Sequence, residues 1–134
     1  MGGEIDIMEA IDVPTDRVYG SFHYSNYTGG ACPCYGHESS ASNATARLPA
    51  GAPLFNETFT TFGVVWQADT LSYYYNDTTY ATVPAVSEKI VSNPFYFILN
   101  LAVGGSWPGS PDEHTVFPQV HLIDWVKHYT LAGQ

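Results

Sequence analysis

Three carboxylates lie close together near the start of the sequence, at Glu4, Asp6 and Glu9. Alternate residues of a β-strand share one face. In a strand, Glu4 and Asp6 would therefore point one way, while Ile5 and Ile7 would point the other way into a core. Carboxylates on one open face can act as nucleophile and as general acid or base. This stretch is the strongest candidate for catalytic chemistry in the chain.

Strict alternation would turn Glu9 toward the core, where an unpaired carboxylate is costly to bury. A one-residue β-bulge at Met8 would return Glu9 to the face of Glu4 and Asp6. Side chains that lean toward each other could then bring the two glutamate carboxyls to roughly 5 Å, the separation that a retaining glycosidase needs. The pattern therefore predicts a bulged strand with three acids on one face.

Three like charges this close cannot all ionise freely, so we expect the acids to differ in protonation. One glutamate can stay ionised as a nucleophile while the other holds a proton as a general acid. Asp6 can hydrogen-bond the first and raise the proton affinity of the second. The alternative is a solvated strand edge whose acids merely face water, but the apolar residues between the acids favour catalysis.

Residues 3–9, Gly-Glu-Ile-Asp-Ile-Met-Glu, resemble the catalytic signature of glycoside hydrolase family 16, in the bulged form found in laminarinases, which are endo-1,3-β-glucanases. Residues 94–109 resemble the later core strand and glycan-binding loop of that family, and residues 117–127 resemble its final strand. The matches follow the family's order from one end of the chain to the other.

This resemblance implies an all-β fold, a concanavalin A-like β-jelly-roll sandwich. It also implies retaining endo-hydrolysis of β-1,3-glucosidic bonds in a laminarin-like glucan, with no cofactor needed for catalysis. By analogy, Glu4 is the nucleophile, Glu9 is the acid/base and Asp6 supports both. The spacing does not choose between the two glutamates, so that choice rests on the family.

The composition limits the class of protein and of partner. The 134 residues suffice for one domain with a modest core. Aromatic residues make up 15% and charged residues 13%, a profile that favours an all-β domain over a helical bundle. The net charge of −9 disfavours nucleic acid, an anionic membrane and a sulfated polysaccharide as partners. A neutral β-glucan is the simpler partner, and we expect a monomer.

Four asparagines head Asn-x-Thr sequons, at Asn26, Asn43, Asn56 and Asn76, and their number favours a secreted glycoprotein. No stretch has the length of a transmembrane helix, and no signal peptide precedes the carboxylate strand. Family members are longer, with their catalytic strand near the middle. We therefore expect that residues 1–134 are a partial catalytic domain whose N-terminal part is missing, and that this fragment alone is inactive.

Alternation and turn residues predict the remaining elements. We expect residues 17–25 to form a strand. Val18, Gly20, Phe22 and Tyr24 would share one face, and Tyr19, Ser21 and His23 would share the other. Further strands are expected at residues 59–68 with Trp66 in the core, at 71–75 before a turn at 76–77, at 94–103 buried on both faces, and at 120–131. The tyrosines at 73–75 need only cross-strand packing.

Residues 28–53 are rich in Gly, Ser, Ala and Pro and are expected to form a long, glycosylated loop insertion. The loop contains Cys32 and Cys34, whose spacing suits a mutual disulfide poorly. In a secreted protein, each cysteine could pair elsewhere. A metal site would need more ligands than this stretch carries.

Three residues are candidates for sugar binding. The resemblance places His23 near the general acid and Asn100 in the cleft; for each, a side chain satisfied within the sheet is the alternative. Trp107 lies in a tight Gly-rich loop at residues 104–109, where it has little core to fill. An aromatic ring in that position suits stacking on a pyranose ring.

Asp124 matches a position at which many family members bind a structural calcium ion. Calcium prefers several oxygen ligands, so a surface carboxylate is the alternative interpretation.

Two other kinds of function remain open. On the same scaffold, the chain could belong to a mixed-linkage glucanase, a galactan hydrolase or a transglycosylase, although the bulged motif and the loop at 104–109 favour a laminarinase. The other kind is a non-catalytic β-glucan-binding recognition protein. Such relatives typically lose the glutamates, and both Glu4 and Glu9 are present here.

Overall fold

The computed structural model describes residues 3–11, 15–24, 42–84 and 94–131. The chain divides into two compact units, Met1–Tyr96 and Phe97–Gln134. No helix in the described ranges is long and apolar enough to span a membrane.

Antiparallel β-strands form two three-stranded sheets in the described part of the first unit. The first sheet has the order β1-β2-β3, with β1 at Glu4–Glu9, β2 at Arg17–His23 and β3 at Ser42–Arg47. The second sheet has the order β4-β5-β6, with β4 at Phe62–Trp66, β5 at Thr70–Tyr75 and β6 at Thr78–Pro84. The predicted all-β class is confirmed.

The core lies between the two sheets. Val18 and Phe22, on alternate positions of β2, are fully buried, as the alternation predicted. On β5, Leu71 and Tyr73 are also fully buried. Burying each such side chain contributes about 1.5–3 kcal/mol, so these residues hold the inner face of the first sheet against the second.

Gly20 lies on the same buried face of β2 as Val18 and Phe22. A Cβ atom at this position would lie 2.6 Å from Cδ1 of Tyr73 and 2.8 Å from the hydroxyl of Tyr80. Real Cβ atoms do not approach other atoms this closely, so only glycine lets the two tyrosine rings lie over β2.

Strand β3 corrects the prediction that residues 28–53 are loop throughout. Residues Ser42–Arg47 pair with Arg17–Phe22 of β2, and Ala44 is buried in the core at 4% exposure. The sequence Ser-Asn-Ala-Thr-Ala-Arg has no large apolar residue and so carries a weak strand signal. Its strand form depends on the partner that β2 provides.

The hairpin between β5 and β6 turns at Asn76 and Asp77, as predicted. Asn76 has a φ of 47°, a conformation that Asn tolerates better than most residues. Its N–H donates to the carbonyl of Thr61 at 2.7 Å, and its Oδ1 accepts the N–H of Thr61 at 3.1 Å. These two bonds hold the hairpin tip against the start of β4.

Two aromatic residues differ from their predicted roles. Trp66 is not a core residue: it is 39% exposed at the end of β4 and meets Phe95 edge-on at 5.4 Å between ring centroids. Tyr73 does more than cross-strand packing, because it is fully buried and donates its hydroxyl to the Ser21 carbonyl of the other sheet. Alternation on a short strand does not reveal which end the opposite sheet covers.

The second unit contains no β-strand among residues 97–131. The predicted strands at 94–103 and 120–131 are therefore wrong for this structure. Apolar side chains in both runs are exposed, such as Leu99 at 54% and Val120 at 71%. A strand exists only where a neighbour completes its backbone hydrogen bonds, and the described residues provide no such neighbour for either run.

Candidate active site

Strand β1 contains the predicted bulge. Asp6 lies opposite Ser21 on β2, and the next registered pair is Glu9 opposite Tyr19, so the pairing advances three residues on β1 against two on β2. One inserted residue produces this difference. Without the insertion, Glu9 would point toward the core. The prediction that a bulge places Glu9 on the same face as Glu4 and Asp6 is confirmed.

The apolar side of β1 anchors the strand. Ile5 lies opposite Phe22 and packs against the core cluster. Because Phe22 is fully buried, this contact fixes which face of β1 looks inward. The acids on the opposite face are presented outward: Glu4 is exposed, and Glu9 is partly buried.

Asp6 lies between the two glutamates and is the most perturbed acid of the site. Its side chain is only 16% exposed. Burial, then the charges of Glu4 and Glu9, and a hydrogen bond with Glu4 raise the pKa of Asp6 from 3.8 to about 7. Asp6 therefore keeps its proton across the acidic range and can donate it in a hydrogen bond to the Glu4 carboxylate.

His23 lies opposite Glu4 on β2, and its Nε2 is 3.2 Å from Oδ2 of Asp6. With Asp6 protonated below about pH 7, this contact is a hydrogen bond to a carboxyl group rather than a full ion pair. The imidazole N–H can donate to one oxygen of Asp6 while the other oxygen carries the proton toward Glu4. His23 thus belongs to the carboxylate site, whereas its contact with a sugar stays a prediction.

Glu9 has its own hydrogen-bond partner on β2. The hydroxyl of Ser21 donates to Oε2 of Glu9 at 3.3 Å. Next along the same face, Tyr19 lies opposite Glu9, and its hydroxyl accepts a hydrogen bond from Nη1 of Arg17 at 3.3 Å. Alternate residues of β2 therefore line one side of the row formed by Glu4, Asp6 and Glu9, here called the acid row.

Sequence reasoning placed Ser21 and Tyr19 on the face of His23 but gave them no role. The alternation of β2 was the signal that could have identified them, once β2 was paired with β1. The contact between Tyr73 and Ser21 had no such signal, because it joins residues 52 apart on different sheets.

Trp107 lies in the second unit, in the tight loop that its glycines predicted. Gly105 and Gly109 exchange two backbone hydrogen bonds of 3.0 Å, and Gly104 and Gly109 have φ of 70° and 87°. The indole is 51% exposed. Asn100, in the same unit, is exposed. The sugar contacts of both residues stay predictions.

Asp124 is exposed in the second unit. Within the described ranges, no group of three or more His, Cys, Asp or Glu side chains could hold a metal ion. The structural calcium ion at Asp124 stays a prediction. Cys32, Cys34 and Asn26 lie outside the described residues.

The comparisons with known proteins agree with this geometry. The family glycosyl hydrolases family 16 matches residues 1–127. A glucan endo-1,3-beta-glucosidase A1 of Niallia circulans is 30% identical over 95% of this chain and 19% of its own length. An endo-1,3-1,4-beta-glycanase ExsH of Rhizobium meliloti is 28% identical over 96% of this chain and 24% of its own length. The chain thus spans a minor part of these relatives.

Among solved structures, the laminarinase catalytic domain of Thermotoga maritima matches 86% of this chain with a TM-score of 0.68 and 35% identity. The match covers 45% of that domain. The predicted β-jelly-roll sandwich is confirmed over this part of the domain. The chain belongs to glycosyl hydrolases family 16.

Proposed function

We propose that this chain carries the catalytic carboxylates of a retaining endo-hydrolase that cleaves β-1,3-glucosidic bonds in laminarin-like glucans. The observation that carries the proposal is the bulge in β1, which gathers Glu4, Asp6 and Glu9 on one face. Two carboxyl groups on one face are what retention requires, because one must attack the sugar while the other handles the proton.

In the first step, the Glu4 carboxylate attacks the anomeric carbon, and the bond from that carbon to the leaving oxygen breaks. Glu9 gives its proton to the leaving oxygen. In the second step, water attacks the anomeric carbon, the bond to Glu4 breaks, and Glu9 takes a proton from the water. Each step inverts the anomeric carbon, so the product keeps the β configuration.

Asp6 supports the Glu4 nucleophile in this scheme. Its proton, held up to about pH 7, stabilises the Glu4 carboxylate by a hydrogen bond before attack and when Glu4 is released. A neutral Asp6 places no charge beside Glu9, so it does not raise the proton affinity of Glu9 in the way that the sequence predicted.

The choice of a β-1,3-glucan is supported by the bulged motif and by the names of the Niallia and Thermotoga relatives. The Rhizobium relative, named for 1,3-1,4 activity, supports the alternative of a mixed-linkage glucanase. A galactan hydrolase or transglycosylase on the same scaffold is a further alternative. Analysis of products from laminarin, mixed-linkage glucan and galactan would separate these substrates.

A non-catalytic β-glucan-binding protein is the candidate from another class. The presence of both Glu4 and Glu9 and the shared environment of the three acids argue against it. Binding to insoluble glucan without release of reducing ends would favour it.

The protein is further proposed to be a secreted, glycosylated monomer. Two of its sequons, at Asn56 and Asn76, have exposed asparagines in turns. Enzymatic deglycosylation in ¹⁸O-water would mark each used asparagine by mass spectrometry, and unmarked peptides from the natural protein would refute glycosylation at these sites.

The 134-residue chain by itself is proposed to be inactive. Its second unit exposes large apolar side chains, such as Phe97 at 57% and Leu122 at 68%, and exposed apolar surface of this kind favours association over an ordered cleft. Laminarin hydrolysis by the isolated chain would contradict this proposal.

The deciding experiment uses the natural protein in full. Laminarin hydrolysis followed from its first minutes by NMR should show β-anomeric reducing ends. Glu4→Gln, which keeps the shape of the side chain and removes the nucleophile, should abolish hydrolysis. An initial α product, or full activity of Glu4→Gln, would refute the assignment.

A further inference from the structure

We infer that Ser21 is a positioning residue for the acid/base Glu9, and that Tyr73 holds Ser21 in place from the second sheet. The inference rests on the proposed glycosidase function. It adds to that function a residue, outside the acid motif, that orients one carboxyl group.

Ser21 occupies an unusual position for a polar side chain. It lies on the carboxylate face of β2, opposite Asp6, yet it is only 5% exposed. Among the described residues, Ser21 and Tyr73 are the buried residues with a side-chain hydroxyl, and the rest of the buried set is apolar or glycine. A buried hydroxyl without a partner is costly, so Ser21 is held to the partner that it has.

That partner is Glu9. The Ser21 hydroxyl donates to Oε2 of Glu9 at 3.3 Å, across the strand pair and next to the bulge. A glutamate has three rotatable side-chain bonds, and the bulge leaves the strand locally irregular. A donor that holds one carboxyl oxygen therefore leaves the other oxygen aimed in a defined direction.

Tyr73 fixes the Ser21 backbone. Its hydroxyl donates to the Ser21 carbonyl at 2.7 Å, from a ring that is fully buried on β5. Burial, then the charge of Asp6, raises the pKa of Tyr73, so the phenol keeps its proton and stays a donor. The bond thus ties the strand that carries Ser21 to the rigid core.

Positioning matters for this carboxyl because it acts twice, first on the leaving oxygen and then on water. A misplacement of about 1 Å can cost roughly 100-fold in rate. We expect Ser21→Ala to reduce kcat/KM on a laminarioligosaccharide by roughly 10- to 100-fold. A sugar is a poor leaving group and needs the proton from a correctly placed acid.

An aryl β-glucoside of the same oligosaccharide, with a dinitrophenolate leaving group, separates positioning from a structural role. Dinitrophenolate leaves without a proton, so kcat/KM, which reports the first step, should stay close to wild type in Ser21→Ala. The second step still needs Glu9 as a base, so kcat on this substrate should fall in Ser21→Ala. Azide should restore kcat, since it attacks the sugar without needing a base.

The experiment measures kcat/KM on both substrates for the natural protein in full and for three variants. Ser21→Ala and Tyr73→Phe should each lose activity on the oligosaccharide and keep it on the aryl substrate. Ser72→Ala is the matched control. Ser72 is a strand serine whose hydroxyl bonds Thr82 at 2.8 Å, away from the acids, so both activities should be unchanged.

Equal losses on both substrates in Ser21→Ala would mean a purely structural role and would overturn the inference. No loss on either substrate would overturn it as well. If Tyr73→Phe lost activity on both substrates equally, the positioning role assigned to Tyr73 would be refuted. A wild-type protein that hydrolysed neither substrate would instead refute the proposed function, so the two failures are distinguishable.

Discussion

Nε2 of His23 lies 3.2 Å from Oδ2 of Asp6, between two adjacent strands. The contact joins the middle acid of the motif to the residue opposite Glu4 on β2. It shows that the acid row of β1 is completed by side chains of β2. Both β1 and β2 therefore contribute side chains to the site. The protonation of Asp6 depends on how deeply its carboxyl group is buried.

The first prediction concerns pH and stability. Asp6 holds a proton up to about pH 7 when folded, whereas an unfolded Asp releases it above its ordinary value of 3.8. The folded state binds more protons in this window, so the free energy of unfolding should fall as pH rises from about 4 to about 7. This contribution amounts to at most about 4 kcal/mol, because a tenfold change in proton affinity corresponds to about 1.4 kcal/mol.

Urea unfolding of the natural protein at several pH values would measure this slope. Asp6→Asn cannot ionise and should flatten it, while Asp69→Asn, in the exposed turn before β5, should leave it as it is. An unchanged slope in Asp6→Asn would show that the carboxyl ionises normally in the folded protein.

The second prediction separates the two glutamates by the products of azide rescue. Glu9→Ala should lower the rate on laminarin by roughly 10²- to 10⁴-fold, the usual worth of a general acid/base. With an activated aryl substrate, azide should restore turnover and give the β-glycosyl azide, because Glu4 still forms the covalent intermediate. Glu4→Ala lacks that intermediate, so azide should attack directly and give the α-glycosyl azide. The opposite pairing of products would exchange the two roles.

The third prediction compares two tyrosines in the core. The hydroxyl of Tyr80 is buried and has no hydrogen-bond partner among the described residues, whereas that of Tyr73 bonds the Ser21 carbonyl. Burial raises the pKa of Tyr80 to about 12, so this group stays neutral at ordinary pH. Removing an unsatisfied hydroxyl relieves a cost, so Tyr80→Phe should be neutral or stabilising by about 1 kcal/mol.

Tyr73→Phe is the matched variant and should destabilise by about 0.5–1.5 kcal/mol, because it removes a buried hydrogen bond to the Ser21 carbonyl. Midpoints of chemical unfolding for the two variants would give both values. Equal destabilisation would mean that Tyr80 has a partner that it needs.

The fourth prediction tests the exposed indole in the glycine loop. Loss of a stacking surface should weaken sugar binding by about 1.4 kcal/mol, so Trp107→Ala should raise KM about tenfold with little change in kcat. Trp107→Phe keeps an aromatic face and should retain most of the affinity. Trp66→Ala is a control, since Trp66 is also partly exposed but meets Phe95. An unchanged KM in Trp107→Ala would remove this residue from the sugar site.

The sequence by itself determined the acid row, because the features that create it are local. Alternation assigns a face to each residue of β1, and the cost of burying Glu9 demands the bulge that the pairing with β2 contains. The same alternation on β2 correctly placed Val18 and Phe22 inside and His23 outside. These inferences need only neighbours within one strand.

Contacts between distant segments were decided only by the tertiary structure. Ser42–Arg47 becomes a strand through its pairing with β2, although its small and polar residues carry little strand preference. The apolar run at 94–103 shows the reverse, since its residues suit a strand but have no partner among the described residues. The bond from Tyr73 to Ser21 spans 52 residues and two sheets, and no periodicity encodes it. The sequence pattern determines on which face of a strand a side chain lies, whereas tertiary packing determines which residues that face contacts.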